Sequence, residues 1–157
     1  MKKKILISLG ILFTLILISA GAFAVSVMNA PKHPSDYHIG ISLSEAYTQT
    51  EKPVVALFYA DWCGYCLKFM PKFKTYDKLY GDKFNFVMID VEGDKQNQKL
   101  SNDVGLTGYP TVYILDFKYD NRVLLSSSYY HDIAKFRAEL DRYLRIRKLL
   151  DKASSDQ

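Results

Sequence analysis

The feature that most constrains the fold is an uninterrupted apolar run followed directly by a cysteine pair. Residues 54–60, with the sequence VVALFYA, are rich in β-branched and aromatic side chains. Such a run is typical of a strand buried on both faces, as the central strands of parallel or mixed sheets are. Residues 62–66 then read WCGYC and contain both cysteines of the chain. The sequence therefore places its two thiols at the end of a buried strand.

A helical pattern follows the second cysteine. Apolar side chains recur at helical spacing, at Leu67, Met70, Phe73 and Tyr76. Cys63 is thus predicted to lie where a strand passes into a helix, with Gly64 easing the turn. Unpaired backbone N–H groups and the positive end of the helix dipole face a sulfur at that position and favour the thiolate, which is the nucleophilic form. Cys66, one turn further on, is predicted to lie deeper and to act as the resolving thiol.

The spacing of the two cysteines favours redox chemistry over a structural role. Two thiols separated by two residues can close a small disulfide ring without moving the rest of the fold, and a loop this short restricts the unfolded chain very little. Zinc binding is the competing interpretation, but a structural zinc site takes four ligands and the sequence has no second Cys or His pair. No metal site is therefore predicted, and His33, His38 and His131 are expected to be surface residues.

Three motifs in the same order give the chain a family resemblance. The sequence Trp-Cys-Gly-x-Cys at a strand-to-helix junction, Pro71 five residues after Cys66, and Gly-Tyr-Pro-Thr at residues 108–111 resemble the active-site motif, the helix proline and the cis-proline loop of the thioredoxin superfamily. The resemblance covers about Ser42 to Leu144. It implies an α/β fold of the thioredoxin type, with a central mixed β-sheet flanked by helices.

The resemblance also implies where the chemistry takes place. It assigns catalysis to Cys63 and Cys66, and it implies no cofactor beyond the redox-active Cys63–Cys66 disulfide. The residues expected to bind substrate are Trp62, Gly64, Tyr65, Tyr109 and Pro110. An exposed Trp62 ring beside a reactive thiol would shield that thiol and offer an apolar contact to a substrate chain. The Tyr109–Pro110 bond is expected to be cis.

The chain departs from the family at two buried positions. Thioredoxins carry an aspartate on the central strand and a lysine on its neighbour, which together help to deprotonate the resolving cysteine. By position, Leu57 and Phe86 replace them here. We therefore expect slow turnover as a general reductase.

The remaining pattern predicts a three-layer α/β sandwich. The predicted helices are 42–50, with a capping box between Ser42 and Glu45, then 64–80, 95–103, and a last helix capped by Asp132 that buries Ile133, Phe136, Leu140 and Leu144. The predicted strands are 54–60, 84–90, 111–117 and 122–127, the last two forming a hairpin.

The N-terminus predicts export. Lys2, Lys3 and Lys4 precede residues 5–28, which contain no charged side chain. About 20 apolar residues span a bilayer, and the lysines would remain on the cytoplasmic side. A cleavable signal peptide fits nearly as well, with a small-x-small cleavage site at residues 22–24. The expected location is the cell membrane, with the domain on the extracytoplasmic side, or the periplasm after cleavage near Ala24.

These features divide the chain into four predicted parts. Residues 1–28 form a signal-anchor or signal peptide, 29–41 a linker, 42–150 a thioredoxin-like domain and 151–157 a polar tail. The net charge is +4, and without the three N-terminal lysines it falls to +1. No nucleic-acid surface is predicted, since the Arg142, Arg145, Arg147 and Lys148 group is expected to be a solvated helix face.

Two functional hypotheses follow from the sequence. The first is an exported thiol–disulfide oxidoreductase that acts on cysteine-containing envelope proteins and exchanges electrons with an upstream redox partner. The second is a thioredoxin-fold binding module in which the disulfide has no catalytic role. The direction of electron flow cannot be predicted from the sequence.

Overall fold

A computed structural model of the chain describes residue 10, residues 12–19 and residues 30–156. The chain divides into two units, Met1–Lys32 and His33–Gln157. In the first unit, residues 12–19 are helical and carry exposed side chains. The predicted lysine cluster, the cleavage site and most of the apolar run lie outside the described residues. Within the described part of the chain, no helix has both the length and the apolar character needed to cross a membrane.

The second unit contains a four-stranded sheet with helices on both faces. Its helices are α1 (Leu43–Thr48), α2 (Gly64–Tyr80), α3 (Lys95–Asp103), α4 (Ser127–Tyr130) and α5 (Ile133–Ser155). Its strands are β1 (Val54–Tyr59), β2 (Asn85–Asp90), β3 (Thr111–Asp116) and β4 (Asn121–Leu125). A short 3-10 turn, Pro34–Asp36, precedes them.

The sheet is mixed, as predicted. Its strand order is β2-β1-β3-β4. β2 runs parallel to β1, while β3 is antiparallel to both β1 and β4. Phe58 near the end of β1 is paired with Thr111 at the start of β3. The loop before β3 therefore lies beside the carboxyl end of β1, where the cysteine pair follows.

β1 is buried on both faces because apolar side chains occupy both. Val55, Leu57 and Tyr59 point into a cluster shared with α2 and α5, which contribute large side chains such as Phe73, Tyr76 and Phe136. Val54, Ala56 and Phe58 point into a second cluster with residues of α1 and α3. This alternation is the period-two pattern of a strand between two helical layers. The predicted thioredoxin fold is confirmed.

Two helices begin at the caps that the sequence predicts. The Ser42 hydroxyl accepts the Glu45 N–H at 3.2 Å, and the Glu45 carboxylate accepts the Ser42 N–H at 2.9 Å. The Asp132 carboxylate accepts the N–H groups of Ala134 and Lys135 at the start of α5. These bonds satisfy donors that have no partner inside a helix.

Part of the segment predicted as a linker, residues 29–41, packs on the domain. Pro34 and Ile39 are buried. Ile41 forms an isolated parallel bridge with Val87 of β2. Ile39 and Ile41 have the two-residue spacing of a strand. This pattern is too short to predict a strand beside the neighbouring Pro and His residues.

The C-terminal region differs from the prediction in its boundaries. The strand expected to reach residue 127 ends at Leu125, and α4 follows it. Ile133, predicted to be buried, is 47% exposed because it is the first residue of α5, at the edge of the packed surface. α5 also continues to Ser155, through most of the predicted polar tail.

Arg147, predicted to be solvated, is buried instead. Its guanidinium Nε donates to the Asp116 carboxylate at 2.7 Å. It also donates to the backbone carbonyls of Glu51 and Thr50. Arg147 lies one turn after Tyr143, which is itself buried, so the helix directs both toward the core.

Candidate active site

Cys63 occupies the N-cap position of α2. Its N–H donates to the Ala60 carbonyl at 3.0 Å, which closes the turn after β1. Its sulfur accepts the backbone N–H of Cys66 at 3.2 Å. The sulfur therefore receives a donor that would otherwise be unpaired, at the positive end of a 17-residue helix.

Cys66 lies behind Cys63 and has no exposed surface. Burial, reinforced by the side-chain hydrogen bond with Cys63, raises the pKa of Cys66 to about 12. Both cysteines are free thiols in the structure. At neutral pH Cys66 is therefore a protonated thiol held one helical turn from the Cys63 sulfur.

Among the described residues, no carboxylate or amine contributes to the pKa shift of Cys66. Leu57 and Phe86 are both buried in the apolar cluster that contains the two cysteines. Besides Cys63, two tyrosines interact electrostatically with Cys66. Burial raises the pKa of Tyr59 to about 12, and burial likewise raises the pKa of Tyr130. Both phenols remain protonated at neutral pH, so neither accepts a proton from Cys66.

An aromatic rim surrounds the cysteine pair. The Trp62 ring is 68% exposed and the Tyr65 ring 77% exposed. The Trp62 indole N–H donates to the Glu92 carboxylate at 3.0 Å. Its ring also meets Tyr109 edge-to-face, with 6.3 Å between centroids. The rim thus offers apolar surface, and Trp62 is held by two contacts.

The Tyr109–Pro110 loop completes the rim. The peptide bond between these residues is cis, as expected. The Pro110 carbonyl accepts the Tyr130 hydroxyl at 2.7 Å, which ties the loop to α4. Tyr109 also packs against the cluster that contains Cys63 and Cys66.

The structure thus brings every residue of the predicted site to the carboxyl end of β1. These residues are Trp62, Cys63, Gly64, Tyr65, Cys66, Tyr109 and Pro110. Sequence reasoning did not place three neighbours at the site: Glu92, which follows β2, and Tyr130 and His131 at the end of α4. These residues belong to no local motif. In the sequence, the indication of where Tyr130 and His131 lie was that they immediately precede the helix cap Asp132.

The residues that the structure describes contain no group of three or more His, Cys, Asp or Glu side chains placed to hold a metal ion. Of the histidines, His33 lies near the active-site loop. Its Nδ1 is 3.7 Å from the carboxylate of Asp61, the residue directly before Trp62. Ser35 donates its N–H to the same carboxylate at 3.0 Å. The 3-10 turn is therefore fastened to the start of the active-site loop.

A family comparison agrees with this geometry. The thioredoxin family model matches residues 41–133, which include the sheet and every residue of the candidate site. The chain belongs to the thioredoxin family. The thioredoxin of Bacillus subtilis is 36% identical to it over 66 residues, or 42% of this chain and 61% of that protein.

Other thioredoxin-family proteins show the same likeness. The chloroplast thioredoxin-like protein HCF164 of Arabidopsis thaliana is 42% identical over 65 residues, which cover 41% of this chain and 24% of that protein. The crystal structure of the Trx4 domain of ERdj5 superposes with a TM-score of 0.54 at 21% identity, covering 69% of this chain and 97% of that one. This last likeness concerns the fold alone. The chain spans about a quarter of the length of several curated relatives that it matches.

Proposed function

We propose that the protein is an exported thiol–disulfide oxidoreductase that exchanges disulfides with cysteines of envelope proteins through Cys63 and Cys66. Membership of the thioredoxin family supports thiol–disulfide redox chemistry. The observation that carries the proposal is the Cys63 sulfur at the N-terminus of α2, with the protonated Cys66 thiol buried behind it. A binding module would require neither this difference between the thiols nor the aromatic rim.

In the reducing direction, the chemistry proceeds in two displacements. The Cys63 thiolate attacks one sulfur of a substrate disulfide, that disulfide breaks, and one substrate cysteine leaves and takes up a proton. Cys66 then loses its proton and attacks the Cys63 sulfur, which releases the second substrate cysteine and forms the Cys63–Cys66 disulfide. Two electrons pass from the protein to the substrate. The reverse sequence oxidises a substrate dithiol.

The direction of flow follows from the reduction potential of the pair against its upstream partner. Potentials in related proteins run from about −270 to about −120 mV, and stabilisation of the reduced form raises them. Equilibration with glutathione buffers, read by mass after alkylation, gives this potential for the protein. A value near the reducing end would assign it to reduction of envelope proteins, and a value near the oxidising end to disulfide formation.

Trapping of intermediates tests the proposed reaction. A Cys66→Ser variant cannot resolve mixed disulfides, so it should accumulate them with envelope proteins, and reducing agent should release these adducts. Cys63→Ser is the matched control, because it keeps one thiol but removes the nucleophile. If Cys66→Ser traps nothing in cells, or if both variants trap equally, the oxidoreductase proposal fails and the binding module is favoured.

Export is the second part of this proposal, supported by Lys2–Lys4 and the uncharged residues 5–28. An alkaline phosphatase fused after residue 157 should be active, because that enzyme folds only outside the reducing cytoplasm, whereas a cytoplasmic reporter should be inactive. N-terminal sequencing of the mature protein distinguishes an uncleaved anchor from cleavage after Ala24. An inactive phosphatase fusion would contradict export but would leave the proposed redox chemistry unaffected.

A further inference from the structure

A groove opens beside the cysteine pair, between α2, the Tyr109–Pro110 loop and α4. Its volume is about 500 Å³. Its lining comes from one face of α2, from the Tyr109–Pro110 loop, and from Tyr130 and His131 at the end of α4. A substrate chain lying across the cis-proline loop would extend into this space.

Side-chain contacts hold the walls of the groove together. The Phe69 ring packs edge-to-face against Tyr130 and His131, with centroid distances of 5.2 and 5.3 Å. The Lys72 ammonium donates to the His131 carbonyl at 2.6 Å, and the Tyr130 hydroxyl is bound to the Pro110 carbonyl. The groove is therefore a built feature of the fold with an apolar floor.

Two positive charges line the same groove. Lys68 and Lys72 lie one turn apart on α2, and both are exposed. Lys68 lies 5.8 Å from the centroid of the Tyr65 ring. The ion pairs among the described residues involve other side chains, so neither lysine has a carboxylate partner there.

The nearby Asp132 and His131 form no ion pair with these lysines in the described part of the chain. The Asp132 carboxylate is engaged by the N–H groups of Ala134 and Lys135 at the start of α5. The pKa of His131 is lowered, first by burial of its ring and then by the charge of Lys72, so this ring is neutral at pH 7. Among the described residues, the lining of the groove therefore combines apolar side chains with two ammonium groups and contains no carboxylate.

We propose that this groove selects target proteins in which an acidic residue, Asp or Glu, lies close to the cysteine that Cys63 attacks. A substrate carboxylate would meet the ammonium groups of Lys68 and Lys72, while neighbouring apolar side chains would pack on Phe69 and Tyr130. This inference rests on the proposed oxidoreductase function and adds the substrate class to it.

Peptide disulfides of matched sequence provide the test. Three peptides would differ only at one position near the cysteine, carrying Glu, Gln or Lys, and the full-length protein would reduce each under identical conditions. Each exposed ion pair contributes a modest energy, so the Glu peptide should react about three- to tenfold faster than the Lys peptide at low salt. The difference should shrink as the salt concentration rises.

Variants of Lys68 and Lys72 test whether the groove causes the preference for the Glu peptide. The Lys68→Gln/Lys72→Gln variant should react equally with all three peptides, and Lys68→Glu/Lys72→Glu should prefer the Lys peptide. Lys74→Gln/Lys78→Gln is the matched control, because these exposed lysines lie on the same helix outside the groove and their loss should leave the preference unchanged. Thermal unfolding of each variant checks that the fold is intact.

The outcomes separate this inference from the function on which it rests. Equal rates for all peptides with the natural protein, or a preference unaffected by charge reversal at Lys68 and Lys72, would overturn the acidic-substrate inference and leave the oxidoreductase proposal standing. If the protein neither reduces any of the peptide disulfides nor oxidises any of the matching peptide dithiols, under conditions in which another thioredoxin-family protein does so, both proposals would be overturned.

Discussion

The two cysteines lie three residues apart at the start of α2, where Cys63 keeps 5% of its surface exposed and Cys66 none. Cys63 lies at the start of the helix, whereas Cys66 is fully buried with its pKa raised to about 12. In the reduced protein at pH 7, iodoacetamide should therefore modify Cys63 far faster than Cys66, because the thiolate is the reacting form. Mass spectrometry of proteolytic fragments after limited labelling measures this.

The Cys63→Ser variant provides the control for this labelling. Its remaining thiol should stay largely unmodified until the protein is unfolded, since burial is retained. Equal labelling of the two cysteines in the folded protein would show that Cys66 is accessible and would contradict the assignment of roles.

Leu57 provides no base for the proton of Cys66, which lies in the same buried cluster. Well below the pKa of Cys66, the thiolate fraction of this residue rises about tenfold with each pH unit. The attack of Cys66 on the mixed disulfide should therefore be slow at neutral pH and accelerate as the pH rises toward that pKa. A Leu57→Asp variant would place a carboxylate in the same apolar cluster, where it could accept the proton. Reduction of insulin, followed from pH 6 to 10, should be faster near neutral pH in this variant, with a shallower pH dependence.

The same substitution should lower stability, because burying a polar group in an apolar site costs roughly 2–7 kcal/mol without a hydrogen-bond partner. Leu57→Asn is the matched control, since it buries a polar group of similar size that cannot accept a proton as a base. If Leu57→Asn accelerates turnover as much as Leu57→Asp, or if the natural protein already matches a thioredoxin with the charged pair, another group deprotonates Cys66.

At the scale of elements, α4 is bonded to the Tyr109–Pro110 loop. The Tyr130 hydroxyl donates to the Pro110 carbonyl at 2.7 Å across the groove. A Tyr130→Phe variant should lose about 1 kcal/mol of unfolding free energy, the typical net contribution of one hydrogen bond, and should reduce peptide disulfides more slowly because the loop is held less firmly. Urea unfolding and peptide kinetics measure the two effects.

Tyr129→Phe is the matched control for this prediction. Tyr129 belongs to the same short helix, but its ring is 42% exposed. Its substitution should change neither stability nor rate. Equal effects of the two substitutions would indicate that α4 as a whole, rather than the Tyr130 hydrogen bond, positions the loop.

The elements also show how far sequence patterns reach. β1 and α2 were predictable because the apolar pattern changes at the cysteine motif from a continuous run to helical spacing. The same motif located the candidate site. α4 was not predictable, because a four-residue helix shows no periodicity and its Tyr130 packs on Phe69, which is distant in the sequence. Tertiary contacts of this kind leave no local signature.

Arg147 shows a different limit. Its charge suggested a solvated position, yet its spacing from Leu140 and Tyr143 places it on the buried face of α5. A buried guanidinium is tolerated only where a carboxylate and further acceptors meet it, and those acceptors come from distant parts of the chain. The pairing with Asp116 could not be predicted without the fold.

At the scale of the whole domain, Arg147 connects three parts of the structure. Its guanidinium bridges the end of β3, through Asp116, to the carbonyls of Thr50 and Glu51 before β1. The Tyr143 hydroxyl donates to the same carboxylate at 3.2 Å. Because Leu115 pairs with Val54 at the start of β1, this network lies at the opposite end of the strand from the cysteines.

An Arg147→Ala variant should therefore lose stability without losing the chemistry of the site. Removing the cation leaves the Asp116 carboxylate buried without its partner, which typically costs about 3–5 kcal/mol. Urea unfolding should detect this loss, while labelling of Cys63 in the folded protein at low temperature should be unchanged. Arg145→Ala is the control, because Arg145 is exposed on the same helix and its substitution should change the unfolding free energy by no more than about 0.5 kcal/mol.

A double variant, Asp116→Leu/Arg147→Met, removes both charges and should recover part of the lost stability, since apolar pairs of similar volume often replace buried ion pairs without loss. If Arg147→Ala is as stable as Arg145→Ala, the network does not stabilise the domain and α5 is held by its apolar face alone.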